Sequence, residues 1–257
     1  AKIDKAAIVH SSTTYGFNND CVADAIVDYP GRLTGVFSVN VTQPDAPERM
    51  RYWYGKGMSG MRIYARGSTM SKEWLALDDP ATTPAWECAA ELGISVATNM
   101  NARDESLEQI KTILRRFPEV PLVIDHFGRP SIADGPPYND ARDYFELAEF
   151  PNLYLKYTLS GLTSMLKGKA EAESFMAKVV SVFGADRIAF VSPSQMVAQD
   201  TCCSGNEFQH IAIGLRNDAA AGLHDLRLCA AAANDLWHHV AIPPSSGRGL
   251  INGLRIL

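Results

Sequence analysis

Short apolar runs alternate with amphipathic stretches along most of the chain. The runs at 6–9, 33–39, 61–64, 94–98, 121–126, 153–157 and 187–191 are rich in aliphatic and β-branched residues and give way to polar or glycine-containing segments. That is the pattern of strands buried on both faces, as in parallel sheets. Helical spacing fills the intervals, at 19–29, 46–56, 84–92 and 170–183, and after Asp104, a candidate N-cap followed by Leu107, Ile110, Ile113 and Leu114. Two further helices are expected near 206–217 and 225–239.

Repeated strand–helix units predict an α/β fold, and seven of them point to a (β/α)8-type TIM barrel that is incomplete, carried on one domain spanning residues 1–257. A closed barrel of this type needs one more strand. Residues 250–257 are a candidate substitute, and a homo-oligomer covering the open barrel edge is the alternative, because exposed strand edges invite unwanted pairing.

Composition narrows the partners. Hydrophobic residues make up 46% of the chain and charged residues 21%, values of an ordinary globular protein. A formal net charge of -5 argues against a nucleic-acid partner. No apolar run approaches the length of a membrane span, and 1–5 lacks a signal-peptide core, so the expected setting is cytoplasmic with no membrane partner. The five cysteines, Cys21, Cys88, Cys202, Cys203 and Cys229, show no metal-ligand spacing and read as free thiols. The glycines of 55–60 precede a strand, whereas a dinucleotide fingerprint follows one. His238 and His239 diverge by about 100° on a helix and make a poor metal pair.

The chemistry gathers where the 121–126 run ends in Asp125-His126-Phe127-Gly128-Arg129-Pro130. The carboxyl ends of barrel strands are where ligands bind, which makes Asp125, His126 and Arg129 site candidates, although an Asp-His pair also serves simply to cap a strand. Arg62 interrupts an apolar run, and Lys156 another. A guanidinium in such a place is either an anion clamp or one half of an internal ion pair, since it cannot be buried unpaired. Ser11, Ser12, Tyr15 and Tyr64 add hydroxyl groups to the substrate-binding candidates.

The segment 123–130 resembles the amidohydrolase-related branch that includes the pyrone dicarboxylate lactonases. Gly57-Met58-Ser59-Gly60-Met61-Arg62-Ile63, Pro30-Gly31-Arg32-Leu33-Thr34-Gly35-Val36 and Leu153-Tyr154-Leu155-Lys156 resemble further motifs of that branch, so the similarity runs in order through about residue 191. The resemblance implies an eight-stranded barrel whose first strand bears a His-x-His pair; the chain contains no such pair, and the reading is a member of the branch lacking the first βα unit. Asn99 stands where the branch carries a histidine or another polar residue. After the last strand the branch reads Gly-Ser, then Asp or Asn, an aromatic residue and Pro; here Val191-Ser192-Pro193-Ser194-Gln195 puts Pro193 at the acidic position. Residues 192–257 have no counterpart in the branch, a divergence that a reading-frame shift would produce.

The resulting expectation is a hydrolase acting on a lactone or similar ester of a small carboxylated compound. A general base activates water, with His126, Asp125 and Lys156 as catalytic candidates and Arg62, Arg129, Tyr15, Ser11, Ser12 and Tyr64 binding substrate. A lactone isomerase, a decarboxylase or a catalytically inactive binding protein on the same scaffold are the alternatives. No cofactor is expected: His126 is the one matched ligand, His10 would add at most a second, and a divalent metal such as zinc needs more. Some lactonases of the branch work without a metal, using the acidic residue that is missing here.

Overall fold

The structure, a computed structural model, describes residues 5–65, 75–194 and 210–214. Strand β1 (Ala6–Val9) leads into the one-turn helix α1 (Ser12–Tyr15) and then α2 (Asp20–Asp28). There follow β2 (Leu33–Phe37), α3 (Ala46–Gly55), β3 (Met58–Ile63), α4 (Thr83–Leu92), β4 (Ser95–Thr98), α5 (Glu105–Arg116) and β5 (Leu122–Ile124). The chain continues through α6 (Arg142–Phe145), β6 (Leu153–Tyr157), α7 (Leu159–Met165), α8 (Ala172–Phe183), β7 (Ile188–Ser194) and β8 (His210–Gly214).

Strands β1 to β7 pair in sequence order and in parallel, as the repeated strand–helix pattern requires. The eighth slot is filled differently. Strand β8 runs antiparallel to both neighbours, pairing Ser194↔His210 through Phe190↔Gly214 on β7 and Ile8↔Ala212 on β1, and so closes the barrel. The helix expected near 206–217 is therefore corrected to a strand over its described part, His210–Gly214. The local sequence His210-Ile211-Ala212-Ile213-Gly214 carries β-branched residues at alternate positions, and two open strand edges supply partners that a helical reading of the sequence could not take into account. The expected helix at 225–239 and the candidate strand at 250–257 lie outside the described residues.

Helix α5 shows how pattern becomes packing. Ile110, Ile113 and Leu114 are buried on its inner face, with Glu105 and Glu108 in its first turn and Arg115 and Arg116 in its last, matching the helix dipole. Asp104 does stand at the N-cap, but with φ 54° and no side-chain bond to the first turn. Helix α4 is pinned to the same layer by Trp86, fully buried and stacked on Phe117 with ring centroids 5.9 Å apart. Its indole N–H points to the Leu77 carbonyl at 3.4 Å. Among the described residues, no helix is long and apolar enough to cross a membrane.

Removing the Trp86 ring should leave a cavity that the barrel wall cannot refill. Trp86→Ala is expected to lower unfolding stability by about 3–5 kcal/mol, read as a lower urea midpoint at an unchanged denaturant slope.

Candidate active site

Strand β5 stops at Ile124, and the chain turns at once through a tight 3-10 segment, Asp125–Gly128. His126, Phe127 and Arg129 all take positive φ, 57°, 58° and 47°. Such a turn needs a residue without a side chain at its tightest contact. A Cβ on Gly128, itself at φ 71°, would lie 2.6 Å from the Ala102 Cβ. That contact and the Ala102 N–H donating to the Gly128 carbonyl at 2.6 Å press the loop after β5 onto the loop after β4. Arg129 is thereby placed to donate from Nη1 to Asn99 Oδ1 at 3.0 Å.

Asp125 is fully buried, and two cations from neighbouring parts of the sheet converge on it. Arg62 of β3 brings Nη2 to 2.8 Å from Oδ2, and Lys156 of β6, also fully buried, pairs its Nζ with Oδ1. Burial pushes the Asp125 carboxyl up, but Lys156 and then Arg62 outweigh it, holding the group below the usual carboxylate range. Burial lowers Lys156, with Asp125 opposing. The ion-pair reading of Arg62 is thus realised in the structure. Arg62 Nε is buried with no hydrogen-bond partner among the described residues, and the Tyr64 ring centroid lies 5.5 Å from the guanidinium carbon.

Two histidines share this rim. His126 sits with Nδ1 2.5 Å from Thr158 Oγ1. Burial, reinforced by Arg129, Lys156 and Arg62, drives its pKa down to about 4 against the pull of Asp125, so the ring is neutral at pH 7. His10 follows β1, buried, with Nε2 2.9 Å from the Gly16 carbonyl and its ring centroid 6.3 Å from that of Tyr15. Burial lowers its pKa too, the Gly16 bond opposes, and Arg62 adds to the lowering. The charge of Arg62 therefore reaches both rings.

Of the residues selected from sequence, Arg62, Asp125, Lys156 and His126 form one electrostatic cluster, with Arg129 and Tyr64 at its edge. Ser12 is engaged elsewhere, its buried hydroxyl donating to Ser38 Oγ at 3.0 Å. Ser11 lies 3.2 Å from Thr14 Oγ1 in an exposed contact. Sequence reasoning passed over Thr158 and Gly161. Thr158 stands two residues beyond Lys156, just past the end of β6 at the same rim, and continuing the period-2 spacing of that strand could have found it. Nothing local marks Gly161.

Among the described residues no three His, Cys, Asp or Glu side chains converge as a metal site requires. Of the donors on this rim, Asp125 is paired with two cations, and each histidine uses one ring nitrogen, His126 with Thr158 and His10 with Gly16.

A barrel with a cation-rich cluster at the carboxyl ends of its strands is the class of protein that fold and site define together. The chain belongs to the amidohydrolase family, whose model matches residues 2–192. Among solved structures it is similar to a "probable 2-pyrone-4,6-dicarboxylic acid hydrolase" from Acinetobacter baumannii, with TM-score 0.55 and 20% identity over 73% of this chain and 67% of that one. It is also similar to an uncharacterised TIM-barrel protein from Bordetella bronchiseptica, with TM-score 0.53 and 19% identity over 73% and 64% of the two chains. An amidohydrolase from Burkholderia multivorans gives TM-score 0.52 and 17% identity, covering 73% and 67%. The chain spans about two thirds of the length of these structures. No curated protein matches it.

Two outcomes follow from the charges. Asp125→Asn leaves Arg62 and Lys156 buried beside each other without their carboxylate, and should cost about 3–5 kcal/mol of stability in denaturant titration. For His126, the unfolded ring takes up a proton near pH 6.5 while the folded ring resists until about pH 4. Its contribution to stability is thus complete above pH 6.5 and is lost as pH falls towards 4. Urea midpoints measured across that window should drop less steeply for His126→Gln than for the native chain.

Proposed function

We propose that this chain is a metal-independent hydrolase of a lactone or similar ester carried by a small carboxylated compound. The observation that supports this most directly is the charge balance at the rim. Two cations, Arg62 and Lys156, flank one carboxylate, Asp125, and a third, Arg129, stands at the edge of the cluster, while burial lowers the pKa of both histidines. The excess positive charge in a partly desolvated site suits an anionic substrate. Arg129 offers a planar guanidinium to a carboxylate, with the Tyr64 ring beside Arg62. The Acinetobacter structure holds citric acid, a small polycarboxylate.

Hydrolysis needs a base to take a proton from water as its oxygen bonds to the ester carbonyl carbon. The carbonyl electrons then move onto oxygen, where cationic and N–H donors stabilise them. On collapse the carbon–oxygen ester bond breaks, and the leaving oxygen takes a proton from a donor on the same rim. Asp125 is closed off between two cations, which leaves the proton transfers to the neutral histidines. Lys156 holds Asp125 in place and supplies field to the site.

Turnover of a carboxylated δ-lactone, followed by pH-stat with mass analysis of the product, tests this reading. The expected product is the ring-opened hydroxy acid, formed equally well after chelator treatment, with Arg129→Ala lowering kcat/KM about tenfold to a hundredfold, as loss of a charged hydrogen bond would. Carbon dioxide release, binding without turnover, or one essential zinc per chain would each overturn it.

A further inference from the structure

The environments of the two histidines differ in a way that assigns their protons. Thr158 follows β6 and caps α7, its Oγ1 accepting the Gly161 N–H at 3.0 Å. The same oxygen lies 2.5 Å from His126 Nδ1. A threonine hydroxyl has one hydrogen and two acceptor positions, and Gly161 occupies one of the latter. Thr158 is buried, and among the described residues its hydroxyl hydrogen has one polar atom to reach, His126 Nδ1. If Nδ1 carried the proton instead, that hydroxyl hydrogen would be stranded without an acceptor, which is costly in a buried place. The hydroxyl therefore donates to Nδ1, and the neutral ring carries its proton on Nε2.

His10 is held through its other ring nitrogen. Its Nε2 faces the Gly16 carbonyl at 2.9 Å, and a carbonyl only accepts, so Nε2 carries the proton and the lone pair is left on Nδ1. Gly161 makes the His126 arrangement sterically possible. A Cβ there would stand 2.6 Å from Thr158 Oγ1 and 2.7 Å from His126 Cβ, too close for any side chain.

We propose that Thr158 and the Gly16 carbonyl divide donor from acceptor between the two histidines of this rim, His126 offering an Nε2–H and His10 an Nδ1 lone pair. Thr158 is a positioning residue: it acts through His126. This assignment rests on the hydrolase reading for its use, in which His10 Nδ1 takes the proton of the attacking water and His126 Nε2–H passes a proton to the leaving oxygen. The water hydroxyl ends on the acyl carbon, the broken ester bond leaves an alcohol, and proton exchange with solvent returns both rings to their starting forms.

The test is 15N NMR of the imidazoles in the full chain at pH 7, with His10→Gln and His126→Gln used to assign the signals. Both rings are expected as neutral Nε2–H tautomers. Thr158→Val should convert His126 to a mixture of tautomers, and Thr158→Ser should restore the single form. If the chain turns over a carboxylated lactone, Thr158→Val should lower kcat about tenfold to a hundredfold, with KM changed less than about twofold and recovery in Thr158→Ser. A His126 protonated on Nδ1, a His10 protonated on Nδ1, or a His126 tautomer indifferent to Thr158→Val would each overturn the proposal. The NMR outcome needs no substrate, so it stands or falls separately from the lactone assay.

Discussion

The structure of this rim depends on one carboxylate. Asp125 is sealed from solvent at the end of β5, and a buried carboxylate is tolerable only if cations replace the water it has lost. Arg62 from β3 and Lys156 from β6 do so, one on each oxygen. The requirement is mutual, because neither cation could remain buried alone. Three strands that are distant in sequence are thereby held at their carboxyl ends in one relative position. The two cations outnumber the carboxylate, so the cluster also leaves positive charge facing the rest of the rim.

Around that cluster the backbone departs from ordinary geometry. His126, Phe127 and Arg129 lie in the left-handed region, each at a cost of about 1–3 kcal/mol. Gly128 and Gly161 stand where any side chain would collide. The turn after β5 is consequently short enough to bring His126 against Thr158 on one side and Arg129 against Asn99 on the other. These contacts join the ends of β4, β5 and β6 with almost no intervening loop, which limits how far the side chains can drift.

Closure of the sheet rests on different physics. Parallel strands come with helices that return the chain to the same end of the barrel, and β1 to β7 obey that rule. Strand β8 enters against the direction of both neighbours and still satisfies their free edges. Backbone pairing does not require a particular strand direction, so an apolar segment of either sense can complete a sheet.

The alternation of apolar runs and helical spacing determined seven parallel strands and most of the helices, because burial on both faces leaves a period that is readable residue by residue. It also marked Arg62, Asp125 and Lys156, since a charge inside an apolar run announces a need for a partner. Which partner each would find was decided only by the tertiary structure. Arg62 could have met a ligand, and Lys156 could have reached out along its stem. Both instead meet Asp125, some 31 to 63 residues away along the chain. The same holds for Thr158 as the neighbour of His126, for Ser12 turned towards Ser38, and for His210–Gly214 as a strand rather than part of a helix. Local periodicity records how deeply a residue is buried. Ion pairs, proton positions and strand partners depend on which distant segments closure of the barrel brings within a few ångströms.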